Sequence, residues 1–193
     1  MEELALHILD VAENSVRAGA RRVEIRVHED PAEDRLRLEI ADDGCGMSEE
    51  VARRAADPFF TTRRDRQVGL GLALLEQAAR AAGGCLRIES APGAGTRVTA
   101  EFRYGHPDRQ PLGDIAATLL ALAAGHPETE FLYEHCTPGS VTRFGTAELR
   151  QELGTVPLNS AAGIRLLRQR LEKALGAAQA AQGGEVRHGA GHD

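Results

Sequence analysis

The sequence has few cysteines, no long apolar segment and no excess of positive charge. Its three cysteines are an odd number and none belongs to a Cys-x-x-Cys pair, so neither a disulfide framework nor a zinc site is expected. No apolar run approaches the roughly 18 residues that span a membrane, and the first residues do not resemble a signal peptide. These absences predict a cytoplasmic protein without a membrane partner.

The charge balance is mildly acidic. Acidic residues outnumber basic ones by 29 to 23, which leaves a net charge of −6. A nucleic-acid-binding protein needs a basic face to neutralise phosphates, so this balance argues against a nucleic-acid partner. The chain of 193 residues, 42% apolar and 27% charged, is typical of a globular protein and can hold one domain with an appended segment.

Hydrophobic spacing predicts a helix over residues 3–18, because Leu4, Ile8 and Val11 recur at helical intervals. Asp10 and Asn14 are four residues apart, so their side chains project from one face of that helix. A carboxylate and a carboxamide placed in this way can hold Mg²⁺ and position a water beside a phosphate. The same two residues are also typical of the solvated face of an amphipathic helix.

Alternating apolar residues predict an antiparallel hairpin with strands around residues 23–27 and 36–40, followed by a glycine loop. Two glycines one residue apart let the main chain reach positive φ and lie against a ligand. The carboxylates before them suit a base amine rather than a phosphate, which they would repel. The residues of this loop are Asp42, Asp43, Gly44, Cys45, Gly46 and Met47.

A second segment, residues 57–72, is suited to phosphates rather than to a base amine. Residues 57–68 lack periodicity, are rich in Arg and Thr, and predict a mobile loop. The glycine pair at Gly69 and Gly71 opens a predicted helix over residues 71–82, where free backbone amides attract phosphates. Carboxylates that can bind a base amine and backbone amides that can bind phosphates, close together in the chain, indicate a nucleotide site.

The remaining pattern completes an α+β fold. A short helix is predicted over residues 48–56, and two strands, residues 86–89 and 97–104, surround a glycine-rich turn. Two long helices on an antiparallel sheet form a two-layer α/β sandwich, which we assign to residues 1–104.

The second half of the chain predicts a linker, residues 105–111, and a C-terminal α/β extension, residues 112–175, that packs on the sandwich or forms a partner-docking surface. Residues 176–193 have the composition of a disordered tail. In the hairpin predicted within the extension, Tyr133, His135 and Arg143 are either a polar patch or ordinary surface residues of strands. The elements predicted for the extension are helices over residues 112–124, 146–153 and 160–175, with strands over 130–136 and 141–144.

The motifs of the first half resemble those of the GHKL ATPase superfamily, which comprises gyrase, Hsp90, histidine kinases and MutL. The sequence around Asn14 resembles the N box, and it is most similar to the N box of MutL. Five motifs in the family's order cover little more than half of the chain, and they imply the Bergerat ATP-binding fold. The other four are Asp42-x-Gly44-x-Gly46 for the G1 box, residues 57–62 for the F box of sensor histidine kinases, residues 69–72 for the G2 box and residues 93–96 for the final glycine-threonine element.

The resemblance implies ATP and Mg²⁺ as ligands. Asp42 would accept a hydrogen bond from the adenine amine, with Thr96 assisting through a water, and Asn14 would coordinate the Mg²⁺ that bridges the phosphates. Asp10 falls where the hydrolysing branches carry a glutamate general base, so its shorter side chain would act as the base at reduced reach. Backbone amides of Gly69, Leu70 and Gly71 would bind phosphates, and residues 57–68 would form the lid. The other ATP-site residues implied are Gly44, Gly46, Met47, Phe60, Thr61, Thr62, Arg63 and Leu72.

Three functions are compatible with this resemblance. The first is a stand-alone regulatory kinase that transfers the γ-phosphoryl group to a separate partner protein. Anti-sigma serine kinases are similar, since they too are short stand-alone members of this superfamily. The sequence begins almost at the first helix, so we expect no dimerising helices with a phospho-acceptor histidine ahead of it. The second is an ATP-hydrolysing conformational switch, and the third is a non-catalytic ATP-sensing adaptor. The resemblance implies no oligomeric state.

Overall fold

The computed structural model of the chain describes residues 3–57 and 70–183. Within these residues, no helix is both long enough and apolar enough to cross a membrane. The elements in chain order are α1 Leu4–Arg17, β1 Arg22–Asp30, β2 Arg35–Asp42, α2 Glu49–Arg54, α3 Leu70–Ala81, β3 Cys85–Ser90, β4 Thr96–Arg103, α4 Ile115–Gly125, β5 Glu130–Thr137, β6 Ser140–Gly145, α5 Thr146–Leu153 and α6 Ala161–Gly183.

The strands form one six-stranded sheet with the order β3-β4-β2-β1-β5-β6. The β1/β2, β2/β4, β3/β4 and β5/β6 pairs are antiparallel, whereas β1 and β5 are parallel, with Val23 opposite Phe131. The predicted α+β fold is confirmed. The strands of the second half extend the same sheet, so the sheet is mixed rather than wholly antiparallel.

The hydrophobic core lies between the sheet and a layer formed by α1, α3, α4 and α6. Val23, Ile25 and Val27 alternate along β1 and are buried on this side, as their period-two spacing predicts. On the opposite face of the sheet, Glu39 forms ion pairs with arginines of three strands, Arg26, Arg37 and Arg97. The packed face therefore fixes α1 and α3 relative to the end of β2.

The last residue of the predicted linker and the residue that follows it hold the first turn of α1. The backbone amides of Leu4 and Ala5 donate to the carbonyls of Pro111 and Leu112, each at 2.9 Å. The first amides of a helix have no partner within the helix, so these carbonyls satisfy donors that would otherwise be unpaired. The start of α1 is thereby attached to the segment that leads into α4.

Two predictions for the second half differ from the structure. Helix α6 continues to Gly183, past the predicted start of a disordered tail at residue 176, which agrees with the high helix propensity of its alanines. The exposed location considered for Tyr133 and His135 is wrong. Tyr133 is 2% exposed and the side chain of His135 is 10% exposed, because both share the inward face of β5 with Phe131. Residues 184–193 lie outside the described part of the chain.

The buried His135 predicts an acid-sensitive contribution to stability. Its Nε2 lies 2.8 Å from Glu29 Oε1, and this hydrogen bond lowers the pKa of Glu29 below its ordinary value of 4.5. A carboxyl group with a lowered pKa stabilises the fold above its unfolded pKa, and this stabilisation is lost as the pH falls through the folded pKa.

We therefore expect the free energy of unfolding of the wild type to exceed that of Glu29→Gln at about pH 7, and the difference to shrink below about pH 4.5. Urea unfolding of both proteins at several pH values measures this difference. A difference that stayed constant from neutral to acid pH would contradict the assignment.

Candidate nucleotide-binding site

The carboxylate of Asp42 is held at the end of β2 by donors from three parts of the chain. Its Oδ2 accepts a hydrogen bond from the Ser15 hydroxyl at 2.6 Å. Its Oδ1 accepts from the backbone amides of Gly44 at 2.9 Å and Thr96 at 3.2 Å. An ionised carboxylate has about four acceptor positions, so one or more remain for a ligand donor. This geometry fits the role that the resemblance implies for Asp42, which is to accept a hydrogen bond from the adenine amine.

A second set of hydrogen bonds joins the glycine loop to the turn between β3 and β4. Ser90 Oγ accepts from the Met47 amide at 2.8 Å, donates to the Gly95 carbonyl at 2.9 Å and lies 3.0 Å from Thr96 Oγ1. This serine fixes the position of Thr96, the residue assigned to assist at the adenine. The two loops therefore form one wall of the candidate site.

The loop glycines are required by close packing between these segments. Gly46 has φ +65, and a Cβ there would overlap the Ala91 carbonyl. Gly95 has φ +76, and a Cβ there would overlap the Asp42 carbonyl. At Gly44, a Cβ would lie 3.0 Å from the Ala18 carbonyl at the end of α1. The glycine pair is predicted to lie against a ligand, and the structure adds that contacts between the loops and α1 leave no room for a side chain at either position.

The start of α3 lies against the polar face of α1. A Cβ at Gly71 would lie 3.4 Å from Asp10 Cβ and 3.8 Å from Asn14 Nδ2. The next residue, Leu72, packs against the hydrophobic core and thereby holds this end of the helix in place. The carboxylate, the carboxamide and the glycine that the sequence places in one site are adjacent in the structure.

The side-chain oxygens of Asp10 and Asn14 are of the kind that Mg²⁺ prefers. Mg²⁺ is usually held by one or two protein oxygens together with substrate phosphates. Asn14 Oδ1 also accepts a hydrogen bond from Arg17 Nη1 at 2.9 Å, and an amide oxygen is among the ligand types that bind hard cations. A Mg²⁺ bound with a nucleotide therefore fits Asn14, with Asp10 beside it.

Several predicted site residues cannot be placed. The lid positions Phe60, Thr61, Thr62 and Arg63 and the first glycine of the phosphate segment, Gly69, lie outside the described residues. Leu70 begins α3.

Three residues of the site were missed by sequence reasoning. Ser15, Ser90 and Arg17 were not singled out as site residues. Ser15 is 4% exposed, and a serine at an apolar repeat position is a signal that could have identified it.

Comparison with known proteins identifies the family. Residues 2–106 match the family described as histidine kinase-, DNA gyrase B-, and HSP90-like ATPase. This match covers more than half of the chain, and the chain belongs to this family. The suspected GHKL membership is thus confirmed.

The similar proteins include sensor histidine kinases. The chain is 30% identical over 151 residues to the sensor histidine kinase AruS of Pseudomonas aeruginosa, covering 75% of this chain and 15% of that protein. It is 34% identical over 93 residues to the signal transduction histidine-protein kinase AtoS of Escherichia coli, covering 48% of this chain and 15% of that protein.

Among solved structures, the mycobacterial sensor histidine kinase MprB matches with 28% identity and a TM-score of 0.41, over 50% of this chain and 66% of that chain. The chain thus spans only 15% of the length of either curated relative.

Proposed function

We propose that this protein binds ATP with Mg²⁺ and transfers the γ-phosphoryl group to a separate partner protein. The observation that carries the proposal is the convergence of a fixed carboxylate, Asp42, with the polar face of α1 and the start of α3. In a chain of this ATPase family, these are a base-binding end and a phosphate-binding end. We place this activity in the cytoplasm, where ATP is available.

At the base-binding end, Asp42 accepts a hydrogen bond from the exocyclic amine of adenine. Its Oδ1 already accepts from two backbone amides, so Oδ2 is the oxygen with remaining capacity for this bond. The Ser15 hydroxyl fixes the orientation of the same oxygen. Guanine carries a carbonyl oxygen in place of the amine and would be repelled by the carboxylate, so the site is specific for adenine.

At the phosphate-binding end, the backbone amides of Gly69, Leu70 and Gly71 bind the phosphates, and Asn14 holds the Mg²⁺. The bound ion neutralises charge on the phosphates. The contribution of the chain is to place Asn14 and the start of α3 on the same side of the ligand.

Asp10 is the group that orients or deprotonates the acceptor. It is beside Gly71 on the face shared with Asn14, which puts a carboxylate next to the proposed phosphate position. His7 lies one turn earlier on α1, but it is 4% exposed and its Nε2 lies 3.0 Å from Gln110 Oε1. A buried and hydrogen-bonded imidazole is poorly suited to accept a phosphoryl group, so we do not propose His7 as the acceptor.

Incubation of the protein with γ-labelled ATP and a cell extract tests the transfer. A labelled partner protein is expected. Steady release of phosphate without a labelled protein would instead support the second candidate, an ATP-hydrolysing switch. This candidate is favoured by the adjacency of Asp10 to Gly71 and by the continuous sheet through which the second half would respond to the nucleotide. Tight ATP binding with neither outcome would support an ATP-sensing adaptor.

We expect Asp10→Asn to lower phosphoryl transfer or hydrolysis by about 100-fold or more, since an amide cannot accept a proton at neutral pH. The two side chains have the same shape, so the affinity for ATP should change by less than about twofold. Single-turnover assays and nucleotide titration measure the two quantities separately. Asp108→Asn, which changes an exposed carboxylate in the segment after β4, is the control and should alter neither. Full activity in Asp10→Asn would contradict the proposal that Asp10 orients or deprotonates the acceptor.

A further inference from the structure

Helix α4 of the second half lies parallel to α1, the helix that carries Asp10 and Asn14. Near the start of α1, Thr118 Oγ1 donates to the Ala5 carbonyl at 3.3 Å. Near its end, His126 Nε2 lies 2.8 Å from Glu13 Oε1. Both contacts join residues that are 113 positions apart, which requires the two helices to run in the same direction. Helix α1 therefore packs against α3 on one side and α4 on the other.

A continuous set of polar contacts leads from α4 to the candidate metal ligand. His126, the C-cap residue of α4, contacts one oxygen of the Glu13 carboxylate, and Arg17 Nη2 contacts the other oxygen at 3.2 Å. The second terminal nitrogen of the same guanidinium, Nη1, donates to Asn14 Oδ1 at 2.9 Å. Because a guanidinium is planar and rigid, fixing one nitrogen also fixes the direction of the other.

We propose that His126 is a positioning residue for the nucleotide site, which holds Glu13 so that Arg17 orients the Asn14 carboxamide toward Mg²⁺. The inference rests on the proposed function, since it requires Asn14 to hold the metal of a bound nucleotide. It assigns to the second half of the chain a part in metal–nucleotide binding, although every predicted ligand lies in the first half.

Stabilisation of the fold is a weaker explanation for these contacts. The side chains of Arg17 and Glu13 are 52% and 28% exposed, and ion pairs with this exposure contribute little to the free energy of unfolding. Orientation of a metal ligand by a surrounding polar group has a larger effect on binding than on folding.

The test compares nucleotide affinity with Mg²⁺ and with a chelator, using ADP so that no turnover occurs. In His126→Ala, the affinity in Mg²⁺ should fall by about threefold, while the affinity in chelator stays within error. His126→Gln should restore the wild-type value, because the amide of Gln can donate to Glu13 from nearly the same position. Glu13→Gln, which weakens the contact to Arg17 without a change of size, should show the same Mg²⁺-dependent loss.

His135→Ala is the matched control. His135 also lies 2.8 Å from a glutamate, Glu29, but at the end of the sheet remote from Asp42, so its loss should leave the ratio of the two affinities unchanged. An equal loss with and without Mg²⁺, or no restoration by Gln, would show a purely structural role and overturn the inference. Unchanged affinities in both His126→Ala and Glu13→Gln would also overturn it while leaving ATP binding intact. A wild type that binds no nucleotide would overturn the proposed function and this inference together.

Discussion

Asp42→Asn is expected to weaken ATP binding by about 30- to 100-fold, since a hydrogen bond to a charged group contributes about 1.5–3 kcal/mol. The two backbone amides of Gly44 and Thr96 require an acceptor at the Oδ1 position. The single oxygen of an asparagine would therefore occupy that position and leave its NH₂ group at the Oδ2 position. There it would face the adenine amine, donor against donor, so the variant loses an acceptor and gains a repulsive contact.

Displacement of a fluorescent ATP analogue measures this loss, and Asp43→Asn is the matched control. The Asp43 carboxylate is the next one along the loop, but its Oδ1 accepts from the backbone amides of Arg21 and Arg22 at 2.8 and 2.9 Å. An asparagine oxygen can accept both of these bonds, so affinity should remain near that of the wild type. Equal affinities in the two variants would show that the adenine amine does not contact Asp42.

The second large effect is expected from Gly95→Ala, which should lower the free energy of unfolding by about 3 kcal/mol or more. The residue has φ +76, where an alanine costs about 1–2 kcal/mol. Its Cβ would also overlap the carbonyl of Asp42, so the end of β2 or the β3–β4 turn must shift. The shift would displace Thr96, and ATP affinity should fall as well.

Gly93→Ala separates the two causes. Gly93 is in the same turn with φ +75, but a Cβ there meets nothing within 4 Å. The free energy of unfolding of this variant should therefore fall only by the cost of the positive φ, about 1–2 kcal/mol, and the affinity for ATP should be unchanged. Urea unfolding of the two variants beside the wild type measures the difference. Equal destabilisation would mean that the contact between the turn and Asp42 is unimportant for stability.

The elements of this fold are predictable from local patterns. The alternation of Val23, Ile25 and Val27, and the helical spacing of Leu4 and Ile8, each reflect which face is buried, and this information is present in a few consecutive residues. The parallel pairing of β1 with β5 is different, because it joins strands separated by three helices and three strands. No local pattern specifies which distant strands become neighbours.

The candidate site could be predicted where residue type and spacing determine the chemistry. Asp10 and Asn14 share a helix face because they are four residues apart, and the structure places Gly71 beside them. Ser90 and His126 could not be found in this way. Their roles depend on contacts with Met47 and Glu13 that arise only when separate segments pack. His135 was misjudged because its polar side chain was given more weight than its inward position on β5.

The most direct test of the central claim is calorimetric titration of the unmodified protein with ATP and with GTP, each in the presence of Mg²⁺. The account predicts saturable binding of ATP to one site per chain and affinity for GTP that is weaker by at least about 30-fold, because the carboxylate of Asp42 accepts from the adenine amine and repels the guanine carbonyl. Equal affinity for the two nucleotides would contradict the assignment of Asp42 as the base reader. Absence of ATP binding would contradict the proposed function itself.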